Sequence, residues 1–155
     1  MIVARDLGAR LGSFQLQGVT FTVPSGSYGV VIGPAGSGKT TLLETVAGIV
    51  PASGGALQLD GRDARALPPE ARRVGLVYQH GYLFPHLSVQ ENVAYGAADP
   101  AAVDEVVRRF ELAALRHRDV VSLSGGERQL VAIARALSSE EHTSELQSHL
   151  NLVCR

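Results

Sequence analysis

The chemistry of this chain is concentrated in Gly33-Pro34-Ala35-Gly36-Ser37-Gly38-Lys39-Thr40. These residues fit the pattern G-x-x-x-x-G-K-[ST] at every fixed position. Glycines let a backbone wrap closely around phosphate groups, and the amides of such a loop point inward at the start of a helix. A lysine at position 39 is placed for β- and γ-phosphates, and the Thr40 hydroxyl for a Mg²⁺ ion. Thr41 is taken with them as part of the nucleotide-binding set. Of the fourteen Lys and Arg residues only Lys39 is a lysine, in a chain that otherwise uses arginine. An ordinary glycine-rich turn is the alternative. The motif, however, stands between a pattern for a buried strand and one for an amphipathic helix, the context a phosphate loop needs.

A second cluster is Leu123-Ser124-Gly125-Gly126-Glu127-Arg128-Gln129. Ser124 with Glu127 three residues on is a capping box, so a well-capped helix start is the plain reading. Two consecutive glycines there cost stability unless a ligand must approach the backbone. The stretch resembles the signature of the ABC ATPase family, and the loop at Gly33 strengthens the resemblance. The family implies ATP and Mg²⁺ as cofactors. It also implies a head-to-tail dimer in which Ser124, Gly125, Gly126 and Glu127 meet the ATP of the opposite subunit. Gln79, ending the apolar run 74–78, resembles the family's Q-loop glutamine, which helps ligate Mg²⁺ and senses the γ-phosphate; alone it would read as a surface residue. The family stacks adenine on an aromatic of the first hairpin, for which Phe14 is the candidate; Phe14 as a core residue is the other reading. Residues 82–89 keep several apolar side chains in a loop-like region, either core or, as the resemblance implies, the face that docks a transmembrane subunit. His86 reads as structural. The wording of residues 67–73 and 83–89 resembles importer ATPases, closest to those for molybdate or tungstate, with sulfate, iron, polyamine and sugar importers nearby.

Elements must position these motifs. Phe14, Leu16, Val19, Phe21 and Val23 alternate with polar or small residues, as in half-buried strands. Residues 28–32 form a short apolar run expected as a strand buried on both faces of a parallel sheet. A helix is expected from about Lys39 to Gly48, with Leu43, Val46, Ala47 and Val50 at helical spacing and Pro51 stopping it. Leu57 and Leu59 alternate before the turn Asp60-Gly61, and residues 74–78 are another buried-strand candidate. Val103, Val106, Val107 and Phe110 mark a helix within 101–115. A last helix runs from Gly125 to about Leu137, with Leu130, Ile133, Ala134 and Leu137 on one face. Alternating strands and helices argue for α/β. The resemblance makes this a P-loop NTPase (ABC ATPase) core with an N-terminal antiparallel β part and a small helical subdomain, incomplete at the C-terminus.

The apolar share of 45% and net charge of −1 describe an ordinary globular chain with no basic field for nucleic acid. No run approaches the ~18 residues needed to span a bilayer, so a cytoplasmic protein is expected, held at the membrane's inner face by permease subunits and indirectly served by a substrate-binding protein. The lone Cys154 allows no internal disulfide. After Leu137 the composition changes: residues 139–155 contain no Ala or Gly and no strand-like apolar run over 139–148. Ser139–Ser148 is identical to the translation of a common sequencing-adapter oligonucleotide, and residues 152–155 match its next segment. Residues 1–138 are therefore expected to be a partial nucleotide-binding domain and 139–155 a non-native tail. The family's Walker B carboxylate and switch histidine would be missing, since neither His142 nor His149 stands in the right context. ATP-driven import of a small solute such as an oxyanion is the expected function of the parent. A nucleotide-binding fragment without catalysis, or a soluble ABC protein without a transport role, are the alternatives.

Overall fold

The computed structural model describes residues 1–97, 99–139 and the backbone of 150–153. It contains two compact units, one holding Met1–Leu76 together with a short strand at 150–153, the other running from Val77 onward.

The first unit is built on an antiparallel sheet in the order β2-β1-β3-β4, with β1 Ile2–Leu11, β2 Phe14–Val23, β3 Ala52–Leu59 and β4 Arg62–Asp63. Strand β1 escapes a period-two reading because its inward face changes partway. Ile2 and Ala4 are buried, then Leu7 and Ala9, with the register shifting between Ala4 and Leu7. Asp6 takes a positive φ of 51° at that shift. Opposite it Gly55 has φ +78°, and a Cβ there would lie 2.2 Å from the Asp6 carbonyl oxygen, so the bulge needs glycine. Helix α1, Lys39–Ala47, buries Leu42 and Val46 against Ile2, Leu7, Leu57 and Leu59. Each such aliphatic side chain contributes about 1.5–3 kcal/mol on burial. The helix stops at Gly48, whose left-handed φ of 91° turns its N–H back onto the last carbonyls, before Pro51 is reached.

Residues 28–32 do not form the expected strand. They have no regular structure, and Tyr28, Val30 and Ile32 are 101%, 81% and 90% exposed. A strand buried on both faces requires hydrogen-bonded neighbours, and among the described residues nothing pairs with this segment. Strand β5, Val74–Val77, is mostly half-buried, and pairs with β6, Leu150–Val153. No strand was expected from that tail; Leu-Asn-Leu-Val is apolar enough to fill an open edge.

The second unit is helical: α2 Val89–Ala94, α3 Pro100–Arg109 and α4 Gly125–Ser138 enclose Val93, Val103, Val107, Leu112, Leu123 and Val131. Helix α2 was not foreseen, although Ser88 and Glu91 form the same capping box as Ser124 and Glu127. Asp99 caps α3 through the Ala101 N–H, with Pro100 in the first turn. The buried face of α4 is Val131, Ala132, Ala134 and Ser138, while Leu130, expected inside, is 41% exposed. At the end of that inward stripe Ser138 donates to the Val93 carbonyl of α2. Among the described residues no helix is long and apolar enough to cross a membrane.

Candidate functional site

In the first unit the loop before α1 closes with the Ser37 N–H donating to the Pro34 carbonyl, leaving Ala35 exposed in the turn. Gly36 and Gly38 take φ of +79° and +89°, conformations that a side chain would strain. Gly38 is also the N-cap of α1 and, having no side chain, makes no capping hydrogen bond, and no acidic residue stands in the first turn. An uncapped helix start with a cationic neighbour favours an anion. Lys39 supplies the cation: its Nζ donates to the carbonyls of Gly33 and Pro34, both at 2.8 Å, and is thereby held over the loop. Gly33 is constrained as well, since a Cβ would sit 2.7 Å from Ser37 Oγ. Phe14, Gly36, Gly38, Lys39, Thr40 and Thr41 line a cavity of about 290 Å³. The Phe14 ring lies so close to Gly38 that a Cβ would stand 2.6 Å from it.

The second unit carries the other two motifs. Ser124 and Glu127 form a reciprocal box, with Ser124 N–H donating to Glu127 Oε2 at 2.7 Å and Glu127 N–H to Ser124 Oγ at 3.3 Å. Hydrogen bonding to the Ser124 side chain and then its backbone, aided by the Arg118 charge, holds the Glu127 carboxyl below its usual range. Gly125 and Gly126 occupy the first helical positions with open space where a Cβ would go. Nothing within the described chain requires glycine there. Gln79 follows β5 and is exposed. It occupies a turn closed by the Gly81 N–H donating to the Tyr78 carbonyl at 2.9 Å.

The chain matches the ABC transporter family over residues 16–143. It belongs to that family. Among similar curated proteins, the sulfate/thiosulfate import ATP-binding protein CysA of Mycobacterium tuberculosis is 42% identical over 146 residues, covering 88% of this chain and 42% of the relative. The molybdate/tungstate import ATP-binding protein WtpC of Archaeoglobus fulgidus is 43% identical over 150 residues, covering 93% of this chain and 62% of the relative. The chain thus spans roughly half the length of these relatives. A solved dimer of the ATP-binding cassette MJ0796, in a post-hydrolysis state bound to ADP and Pi, superposes with a TM-score of 0.78 at 22% identity, over all of this chain and 88% of that one. The ABC ATPase fold expected from the two motifs is therefore the fold of this protein.

The structure gathers Gly36, Gly38, Lys39, Thr40 and Thr41 with Phe14 around one cavity, whose lining does not include Gly33, Pro34, Ala35 or Ser37, and joins Ser124 to Glu127 at one helix start. Of residues 82–89, Leu83 and Val89 belong to the core, whereas Tyr82 is 65% exposed and His86 is at the surface. Three residues were missed by sequence reasoning. Arg72 is buried and donates to the carbonyls of Thr45 and Val46, at the end of α1, and of Leu67. Asn92, fully buried, exchanges hydrogen bonds with the Phe84 backbone and donates to the Leu87 and Ser88 carbonyls. Arg135 reaches back to the turn after Gln79. Arg72 and Arg135 bond to carbonyls far along the chain, which no local pattern flags, whereas Asn92 bonds nearby, to Ser88, Leu87 and Phe84. His142 and His149 lie outside the described residues.

Proposed function

We propose that the parent protein is the ATP-binding subunit of an importer, binding and hydrolysing ATP to drive uptake of a small solute, an oxyanion of the sulfate or molybdate/tungstate class. The observation that carries this reading is the uncapped start of α1 opening beside Lys39 into the cavity lined by Phe14. ATP phosphates would accept from the loop amides and share the Lys39 ammonium with Gly33 and Pro34, while adenine rests against Phe14. The described residues contain no group of three His, Cys, Asp or Glu able to hold a metal unaided. The Thr40 hydroxyl, the phosphates and water would hold Mg²⁺ at this loop. Bound Mg²⁺ would neutralise developing phosphate charge. The bare helix start at Gly125 and Gly126 suits the nucleotide of a second, head-to-tail subunit. Residues 82–89 would dock a permease at the cytoplasmic face of the membrane, with a substrate-binding protein delivering the solute.

The chain as given is better read as a nucleotide binder without turnover, since among the described residues the cavity lining includes no carboxylate to orient the attacking water. We take residues 1–138 as the natural part of the domain and 139–155 as adapter-derived; genomic DNA read beyond codon 138 tests this, and continuation as the present tail would refute it. For function, Lys39→Ala in the full-length parent is expected to weaken ATP binding by about 1.5–3 kcal/mol and to abolish phosphate release. Turnover unchanged by Lys39→Ala would overturn the assignment.

A further inference from the structure

The turn that presents Gln79 does not stand alone. Its closing residue Gly81 is buried against α4: a Cβ at Gly81 would lie 3.3 Å from the Arg128 carbonyl oxygen and 3.5 Å from the Ala132 Cβ. Gly81 and Tyr82 are consecutive left-handed residues, with φ of 73° and 42°. Such a conformation in a tyrosine persists only where surroundings impose it. The imposing group is Arg135 of α4, three helical turns beyond Ser124. Its Nη2 donates to the Gly81 carbonyl at 3.3 Å and the Tyr82 carbonyl at 3.0 Å, and its guanidinium carbon stands 5.1 Å from the Phe84 ring centroid. The stacking surface is itself braced, because Phe84 packs on Tyr95 at 4.3 Å and its backbone is held by Asn92. Among the described residues Nη1 of Arg135 is buried without a partner, so the guanidinium is kept there despite an unmet donor.

We propose that Arg135 is a positioning residue for Gln79: it fixes the left-handed Gly81-Tyr82 backbone to the signature helix and so sets where the glutamine is presented. A planar guanidinium that serves both carbonyls through Nη2 while its face lies on the Phe84 ring suits this task; a lysine ammonium can reach a carbonyl but cannot stack in the same way. The consequence is that Gln79 and the helix beginning at Ser124 move together. This rests on the functional reading of Gln79 given above.

A double-mutant cycle in the full-length parent tests it. Arg135→Met and Arg135→Lys are expected to lower kcat about 10–100-fold, with KM for ATP little changed, the size typical of residues that orient a metal-site ligand. In a Gln79→Ala background the same substitutions should add almost nothing. Independently of turnover, amide hydrogen exchange over residues 79–84 should accelerate in both Arg135 variants, while exchange in α2 and α3 stays as in the parent. If the Arg135 and Gln79 effects multiply in full, or if exchange over 79–84 is unchanged, the positioning role is refuted. If Gln79→Ala alone leaves turnover intact, the reading of Gln79 fails first and the coupling with it. Should Arg135→Met not fold, the Arg135→Lys cycle and its exchange profile decide alone.

Discussion

The glycines at 125 and 126 are the residues whose presence the fold explains least. Both are helical, neither has a positive φ, and a Cβ at either would meet nothing within 4 Å. Glycine in a helix costs up to about 1 kcal/mol relative to alanine. A residue type that weakens its own helix and satisfies no internal contact points outward, to a ligand or a second chain that needs the backbone bare. Gly126→Ala is accordingly expected to leave the full-length monomer as stable or up to about 1 kcal/mol more stable. The same change should abolish ATP-driven dimerisation measured by light scattering. Dimerisation at the parent level would remove the argument for a contact in trans. By contrast, Gly38 is explained from within: its φ of +89° and the Phe14 ring against it both require the absence of a side chain.

At the scale of elements, α1 matters because its start forms the loop and its end must be held still. The end is held by Arg72, 7% exposed, which donates to Thr45 O at 2.7 Å, Val46 O at 3.0 Å and Leu67 O at 2.9 Å. A cation at a helix C-terminus also complements the partial negative charge of the last carbonyls. Burial pushes the guanidinium pKa down from its ordinary value, so the charge is held against a desolvation penalty by these carbonyls. Gly48 completes the arrangement, since a Cβ there would come within 2.6 Å of Arg72 Nε. Arg72→Met would remove the guanidinium donor from the Val46 and Leu67 carbonyls, Thr45 keeping the Gly48 N–H, and a loss of about 1–3 kcal/mol is expected. Urea denaturation of the full-length parent and its Arg72→Met variant checks this; identical midpoints would mean that water replaces the guanidinium at no cost.

For the molecule as a whole, the exposed run 28–32 sets the behaviour in solution. Four large apolar side chains, Tyr28, Val30, Val31 and Ile32, lie open to solvent on a segment whose backbone groups have no strand partner among the described residues. Unpaired, apolar, β-prone segments recruit one another. The purified 155-residue chain is expected to aggregate as concentration rises, and Val30→Thr with Ile32→Thr to reduce light scattering. A monodisperse chain with slowly exchanging amides over 28–32 would contradict this. That segment also marks the limit of reading from sequence. The glycine-rich loop, the start of α1 and the Ser124–Glu127 box were legible because each is a local matter: glycine φ, a capping hydroxyl, a helical period. Family membership followed from two such local motifs. Burial of 28–32 was not decided locally, because an apolar run becomes a buried strand only when neighbours bond both its edges. The same holds for the inward face of β1, switched at Asp6 by a bulge that Gly55 on another strand permits, and for α4, whose Ser138 rather than Leu130 turns inward. Arg72 on Thr45 and Val46, and Arg135 on Gly81 and Tyr82, act on backbone carbonyls brought near by folding, and no spacing along the chain encodes such partners. Local backbone chemistry was therefore written in the sequence, whereas every role depending on a distant carbonyl or on strand neighbours was decided by the tertiary structure.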